Sequence, residues 1–174
     1  MGIFDDAHAV VFVADHIAAD AKLSALGAFF TVTPVGPGGL TSPCCVAWVI
    51  DVPSKHVGQE YGASLELRDT TTGSAVQIVG PSGQAEALRI QQLVRVERPS
   101  VPGAYLPEEM FCRQQMVVAF GQGLGLTAGH FYRWSLQIDG QHRPGWTASF
   151  HVLGPSPLPV IGGPLGSSTS PTFG

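Results

Sequence analysis

The six histidines are the residues best suited to acid–base or metal chemistry, and their spacing matches no ligand motif. They are His8, His16, His56, His130, His142 and His151. Zinc sites place their ligands at short fixed spacings such as H-E-x-x-H or C-x-x-C, and neither pattern occurs. His130 and His151 would approach each other if the last two predicted strands pair. We interpret both as surface histidines with ordinary partners, so the sequence predicts no metal site.

The carboxylates and glycines also fall in no catalytic arrangement. Asp15 with Asp20, and Glu108 with Glu109, are predicted to lie in loops, where sequence alone does not set the distance between paired acids. No G-x-S-x-G nucleophile elbow and no G-x-x-x-x-G-K-[ST] phosphate loop is present. The run G-Q-G-L-G at 121–125 is predicted to be a turn, because no helix follows it. We therefore expect a protein that is not an enzyme and binds no cofactor.

The beginning of the sequence bears on its compartment. Asp5 and Asp6 stand where a signal peptide would need basic residues, and the apolar run at 9–14 is too short to cross a membrane. This pattern predicts synthesis in the cytoplasm, where cysteines stay reduced. The adjacent Cys44 and Cys45 are expected to point to opposite faces of a strand, as small apolar residues.

The composition indicates strands and loops. Of 174 residues, 22 are glycine and 14 proline, and charged residues make up 13%, against roughly 25% in a typical soluble domain. Helical proteins usually carry Lys and Glu on their solvent faces, and this chain has few of either. The formal net charge of −4 and the scattered basic residues offer no surface for nucleic acid. We expect no nucleic-acid partner.

Alternation of apolar and polar residues predicts the fold. It is clearest at 129–139 and 146–152, where an aromatic-rich face alternates with polar residues around an Asp139–Gly140 turn. The best helix candidate, 15–26, is weakly periodic. We predict an all-β, antiparallel two-sheet sandwich of eight or nine strands, immunoglobulin-like or jelly-roll in type. The predicted strands cover 9–14, 23–33, 44–52, 61–69, 74–79, 87–97, 111–121, 129–139 and 146–152.

The C-terminal segment differs from the rest. Residues 1–153 are predicted to form the sandwich domain, and 154–174 to form an extended Pro/Gly/Ser-rich tail. The last charged residue, Arg143, precedes the tail, which places apolar residues among prolines in a sequence biased towards extended conformation. We predict that this tail docks on a neighbouring subunit. Its predicted partner-binding residues are Leu158, Val160, Ile161, Leu165 and Phe173.

Four segments carry a resemblance to a known group of proteins. They are VFVADHIAADAKLSALGAFFTV (11–32), VPSKHVGQEY (52–61), VRVERPSVPG (94–103) and WSLQIDGQ with WTASFHV (134–152). Through them the chain resembles an uncharacterised family of small bacterial and bacteriophage β-sandwich proteins over about residues 9–153. No activity is established for that family. The resemblance implies a sandwich-like domain and no catalytic residues.

Two functions follow as expectations. The first is a structural accessory protein of a large assembly, specifically a bacteriophage virion, as a capsid decoration, minor capsid or tail-associated protein made in the host cytoplasm. Its partners would be further copies of itself or a capsid protein, bound through the tail and through loops at 33–43 and 98–109. The alternative is a cytosolic module that binds a small ligand or a protein partner. That alternative predicts an apolar pocket lined by Trp48, Trp134 or Trp146.

Overall fold

The backbone of this protein forms strands wherever the alternating pattern is strong. A computed structural model describes residues 2–19, 22–80, 83–99, 107 and 109–154. In this part of the chain, one α-helical turn, α1 (Ile3–Asp6), and one 3₁₀ turn (Ser54–His56) accompany thirteen strands. The strands are β1 (His8–Ala14), β2 (His16–Ala19), β3 (Leu23–Leu26), β4 (Val32–Pro34), β5 (Cys44–Pro53), β6 (Glu60–Asp69), β7 (Ser74–Ala75), β8 (Gln77–Val79), β9 (Ala85–Ala87), β10 (Arg89–Arg95), β11 (Phe111–Phe120), β12 (Phe131–Ile138) and β13 (Thr147–Leu153).

Two main sheets contain the long strands. The first sheet has the order β1-β5-β11, and the second has the order β10-β6-β12-β13-β4, with β7 also paired to β6. Two small hairpins, β2–β3 and β8–β9, complete the described sheets. The strand pairs are antiparallel apart from β13 and β4, which run parallel. The predicted all-β class with antiparallel sheets is confirmed.

Some predicted strands are divided in the structure, which raises their number above eight or nine. The expected strand at 23–33 ends at Leu26, because Gly27 and Phe29 have φ angles of +62° and +61°, which no strand accommodates. The chain resumes as β4 after this turn. The weak helix candidate at 15–26 is the β2–β3 hairpin, in which His16 lies opposite Leu26.

Both sheets contribute to one apolar core. Trp48 of β5 and Trp134 of β12 are among its largest fully buried side chains. The predicted inward face of β12 is confirmed, since Tyr132, Trp134, Leu136 and Ile138 are all buried. Burial of aliphatic and aromatic side chains contributes about 1.5–3 kcal/mol each, so this shared core holds the sheets together.

The order of the long strands and one tyrosine characterise the connection between the sheets. Seven strands have at least seven residues. In chain order these strands are β1, β5, β6, β10, β11, β12 and β13. One sheet contains β1, β5 and β11, and the other contains β10, β6, β12 and β13. Near the start of β12, the Tyr132 hydroxyl accepts a hydrogen bond from the Thr127 amide at 2.8 Å. Such a bond from a tyrosine to the backbone just upstream is a feature of immunoglobulin-like sandwiches.

Two turns predicted from glycines are confirmed. Asp139 and Gly140 have φ angles of +48° and +76°, as a two-residue hairpin turn requires. Gly123, in the predicted turn at 121–125, has φ of +76° and lies so close to Thr41 that a Cβ atom would overlap its carbonyl oxygen. The described residues include no helix long and apolar enough to span a membrane.

Candidate functional site

The tail residues predicted to bind a partner fall outside the part of the chain that the structure describes. They are Leu158, Val160, Ile161, Leu165 and Phe173. Most of the predicted binding loop at 98–109 also falls outside it, because positions 100–106 and 108 are not among the described residues. The candidate site is therefore sought on the surface of the described strands.

One histidine pairs with a carboxylate at the end of the second sheet. His130 Nδ1 lies 2.7 Å from Oδ2 of Asp69. The other carboxylate oxygen of Asp69 accepts the amides of Thr71 and Thr72 at 2.9 and 3.2 Å. Burial raises the pKa of Asp69, but the hydrogen bonds from His130, Thr72 and Thr71 outweigh it and leave that pKa below its usual value. This cluster fixes the loop between β6 and β7 against the start of β12.

A second histidine is buried beneath α1. His56 Nε2 lies 2.8 Å from Asp6 Oδ2, and its Nδ1 lies 3.1 Å from Gln59 Oε1. Lys55 places its ammonium 2.7 Å from the same oxygen of Asp6. Hydrogen bonds from Lys55 and His56 hold the pKa of Asp6 below its usual range. These contacts attach α1 to the 3₁₀ turn.

These Asp–His pairs connect segments that are distant in the sequence. In a catalytic triad, the second ring nitrogen of the histidine forms a hydrogen bond with a nucleophile. Among the described residues, His130 Nε2 has no hydrogen bond. Both ring nitrogens of His56 form hydrogen bonds, but neither partner is a nucleophile. His151 stacks on Phe131 with ring centroids 4.4 Å apart. Within the described ranges, no group of three His, Cys, Asp or Glu side chains could hold a metal ion. The sequence pattern missed both pairs, because their members lie 61 and 50 positions apart.

The cysteines are free thiols that pack as small apolar groups. Cys45 belongs to an apolar cluster on the outer face of the first sheet, while Cys44 contacts the main core. The prediction that they face opposite sides is confirmed. Burial and the neighbouring Cys45 raise the pKa of Cys44 to about 11, and burial raises the pKa of Cys112. Neither Cys44 nor Cys112 supplies a thiolate at neutral pH.

The tryptophans expected to line a pocket for the alternative function are placed differently from one another. Trp48 and Trp134 are each 1% exposed and pack in the core, so the prediction is wrong for these two. Trp146 stacks edge-on against Phe4, with centroids 5.3 Å apart, and it also lines a surface groove with residues 8–10, Asp51 and Arg113. The strong alternation around these residues directs their large rings towards the opposite sheet.

The outer faces of the two sheets differ in chemistry. On the second sheet the outer face is polar: Glu66 accepts hydrogen bonds from Arg68 and Arg89, both at 2.6 Å. On the first sheet the outer face is apolar where Val10 lies opposite Val49 and Phe12 opposite Ala47, and next to Val49 it carries the ion pair of Asp51 with Arg113. The β2–β3 hairpin covers part of this face, where a second apolar cluster forms. That cluster comprises Phe12, Ala14, Ile17, Cys45 and Ala47.

Two large apolar residues beside that cluster remain exposed. Val10 and Phe29, together called the apolar patch, are 50% and 64% exposed. Val10 is exposed although it belongs to the continuous apolar run at 9–14, because the hairpin covers only the far end of β1. The Phe29 ring stacks on Phe12 with centroids 5.1 Å apart. Exposed apolar clusters are typical of surfaces that contact other proteins.

A groove, called the seam, runs beside the apolar patch. Residues 9–13 of β1 form one wall, Gly145 and residues 147–149 form the other, and residues 29–31 close one end. Its volume is about 370 Å³, and no charged side chain lines it. The seam therefore combines an uncharged lining with the edges of two strands.

The edge of β1 presents free main-chain groups to the seam. The Val13 carbonyl accepts the Phe29 amide at 2.7 Å, so it points away from β5. Because successive residues of a strand point their main-chain groups to alternate sides, those of Ala9 and Val11 point the same way as those of Val13. Within the described part of the chain these groups of Ala9 and Val11 have no hydrogen-bond partner.

The edge of β13 presents a second row. His151 donates its amide to Thr31 at 2.8 Å, and Leu153 accepts the Val35 amide at 3.1 Å, on the side away from β12. Thr147 and Ser149 point their main-chain groups to the same side, where β4 no longer runs alongside. An unpaired edge of this kind is a template for an added strand. The sequence could not show the seam, because it depends on β1 and β13 lying side by side.

No protein-family model matches the chain, and no curated protein is similar to it at a significant level.

Proposed function

We propose that this protein is a non-enzymatic structural component of a large protein assembly, held there by contacts with neighbouring protein subunits. The observation that supports this most strongly is the apolar patch beside the seam. Two exposed apolar side chains, those of Val10 and Phe29, and two rows of free main-chain groups occur together around the seam. Both features are ones that a protein partner would cover.

Phe29 is the residue within the patch that most favours a docking role. A bulky residue at φ of +61° adopts a backbone conformation that costs about 1–3 kcal/mol. Its ring nevertheless remains mostly exposed, and it does not fill the main core. Binding of the exposed ring to a partner would explain why a phenylalanine is kept at this strained position.

The proposed architecture is an immunoglobulin-like sandwich, supported by the strand order and the Tyr132 bond described above. Such sandwiches are rigid scaffolds whose edges and end loops are free to contact other subunits. The assembly we propose is a bacteriophage virion, with this chain as a decoration, minor capsid or tail-associated protein. The choice of a virion follows from the resemblance expected from the sequence over residues 9–153, while no family model matches the chain.

The proposal is tested by following the protein in extracts of the cells that produce its native assembly. The tagged full chain is expected to sediment with large particles at a constant ratio to the major shell protein. Val10→Lys places a charge in the apolar patch and is expected to shift the protein to the position of small, unassembled chains. Val79→Lys is the matched control, because Val79 is also an exposed strand valine, 79% exposed and outside the patch.

Each outcome bears on the proposal. Loss of sedimentation with Val10→Lys, and its retention with Val79→Lys, would support a structural role through the patch. A wild-type chain found wholly in the unassembled fractions would overturn that role. Equal behaviour of both variants within the particle would show that the patch is not the surface that binds.

A further inference from the structure

The outer face of the second sheet carries a group of exposed apolar side chains near the start of β12. His151 of β13 lies opposite Phe131 of β12 and opposite Val32 of β4, so these three side chains share one face. Leu153 lies on the same face, two residues after His151. Val32, Phe131 and Leu153 are 46%, 57% and 44% exposed, while Val152, on the inner face, is buried. Val32, Phe131, His151 and Leu153 are together called the outer row.

Two arginines lie next to the outer row. Arg133 is two residues from Phe131 on β12, and it lies opposite Arg68 of β6. Like charges in directly opposite positions destabilise a sheet. The Nε–H group of Arg133 donates to the Ser149 hydroxyl at 3.1 Å, and Arg133 forms no ion pair within the described part of the chain. The described residues therefore leave the charge of Arg133 unpaired.

This part of the face has an excess of positive charge. Glu66 binds both Arg68 and Arg89, so with Arg133 three arginines accompany one carboxylate. The whole chain has the opposite sign, with a formal net charge of −4. A local positive region on an acidic protein favours an anionic partner at this place.

We propose that the outer row and Arg133 form a second protein-binding surface. There a carboxylate side chain of a partner subunit binds Arg133, while apolar side chains of the same partner cover the outer row. The observation that carries this inference is the unpaired Arg133 beside the exposed Phe131. It rests on the proposed function for the existence of a protein partner. The surface is separate from the apolar patch, because Val10 points outwards from the first sheet and Phe131 from the second.

The chemistry of the surface specifies the partner. A guanidinium group binds a carboxylate through two parallel hydrogen bonds, and arginine and aromatic residues are enriched in protein interfaces. The aliphatic side chains of Val32 and Leu153 match apolar side chains of a protein better than the hydroxyl groups of a sugar. Arg133 and Phe131 are two residues apart on one strand. The partner therefore has to present its carboxylate about 7 Å from its apolar contact, at about 3.3 Å per strand residue.

The inference is tested by labelling the full chain with phenylglyoxal, a reagent for accessible guanidinium groups, both free and within its native assembly. Mass spectrometry then measures the rate at which each arginine is modified. Arg133 is expected to react at least roughly tenfold more slowly in the assembly, because the bound carboxylate and the partner around it shield the guanidinium. Arg95, which is exposed at the end of β10, is the internal reference and is expected to react at similar rates in both samples.

The possible results separate this inference from the proposed function. Protection of Arg133 with continued reaction of Arg95 would support the second surface. Rapid reaction of Arg133 in a chain that sediments with the particles would overturn it and leave the structural role intact. Equal protection of both arginines would show general shielding and would count against a defined site. A chain absent from the particles would overturn the proposed function, and this inference with it.

A substitution tests the carboxylate contact separately from the coverage of the surface. Arg133→Gln is expected to weaken retention in the particles by roughly tenfold. It also removes the repulsion with Arg68, so its thermal midpoint is expected to stay close to that of the wild type. Retention of the wild type is expected to fall as the salt concentration rises from about 50 to about 500 mM, and that of Arg133→Gln to change less. Arg95→Gln is the matched control and is expected to behave like the wild type.

The outer row is tested in the same sedimentation assay. Phe131→Ser is expected to weaken retention, whereas Leu93→Ser, at an exposed apolar residue of β10 in the same sheet, is expected to preserve it. Equal retention of Phe131→Ser and Leu93→Ser would show that the outer row is not covered by a partner. Retention of Arg133→Gln equal to that of the wild type at every salt concentration would show that no carboxylate binds Arg133. Either result would overturn the inference.

Discussion

The ring of Phe29 stacks on the ring of Phe12 with centroids 5.1 Å apart, while the Phe29 backbone has φ of +61°. The stacked pair joins the turn after the β2–β3 hairpin to the outer face of the first sheet. It combines a conformation that asparagine or glycine would adopt more easily with a mostly exposed aromatic ring. Under the proposed docking role, folding and binding make opposite demands on Phe29.

Replacing Phe29 is therefore expected to separate stability from assembly. Phe29→Asn relieves the backbone strain but loses the contact with Phe12, so we expect a thermal midpoint close to that of the wild type. The same variant loses the exposed ring and is expected to assemble poorly. Thermal unfolding and sedimentation measured on one preparation test both parts. Full assembly of the variant would show that Phe29 does not belong to the docking surface.

Two buried tyrosines are expected to respond differently to loss of their hydroxyl groups. Tyr132 accepts the Thr127 amide at 2.8 Å, so Tyr132→Phe is expected to lower the free energy of unfolding by about 1 kcal/mol. The Tyr61 hydroxyl is buried and has no hydrogen-bond partner among the described residues. Tyr61→Phe is expected to be neutral or stabilising. Urea unfolding of both variants tests this, and a larger loss with Tyr61→Phe would contradict the structure.

Two glycines with the same backbone conformation are expected to differ in their tolerance of alanine. Gly73 has φ of +77° and open space where a Cβ would lie, so Gly73→Ala is expected to cost about 1–2 kcal/mol from the backbone alone. Gly123 has φ of +76°, and a Cβ there would overlap the Thr41 carbonyl. Gly123→Ala is expected to cost clearly more. Denaturant unfolding compares them, and equal losses would count against the close approach of these segments.

Glu66 is expected to make stability depend on acidity. The Arg68 hydrogen bond lowers the pKa of Glu66, burial opposes it, and Arg89 adds to the lowering. A carboxyl whose pKa is lower in the folded state stabilises the fold above its usual pKa of 4.5, and this stabilisation is lost as the pH falls below it. Both arginines are well exposed, so the contribution is expected to be about 0.5–1 kcal/mol.

The measurement is the free energy of unfolding between about pH 5 and pH 3. The wild type is expected to lose stability more steeply over this range than Glu66→Gln. Parallel curves for the two proteins would show that the ion pairs with Arg68 and Arg89 add nothing to the folded state.

The sequence predicted the strands best where one face is buried and the other is polar. Trp134 alternates with Arg133 and Ser135, and this pattern predicted β12 and its inward face. The division of the strand at 23–33 was missed, because the positive φ of Phe29 arises from tertiary contacts that a hydrophobic pattern does not contain. Phenylalanine also favours strands intrinsically, so its type pointed to an uninterrupted strand.

The surface features were harder to predict than the core. The pairing of Asp69 with His130 joins residues 61 positions apart. The seam exists only because β1 and β13, which are far apart in the sequence, lie side by side. Short-range spacing carries no information about such contacts. The exposure of Val10 also depends on contacts between distant segments, because the β2–β3 hairpin covers only part of β1.

The most direct test of assembly through the patch and the seam is sedimentation velocity of the purified full chain over a wide range of concentrations. We predict that the sedimentation coefficient of the wild type rises with concentration. Val10→Lys is expected to sediment as a single chain throughout, and Val79→Lys is expected to behave like the wild type. A wild-type protein that sediments as a single chain at every concentration would contradict association between copies through this surface.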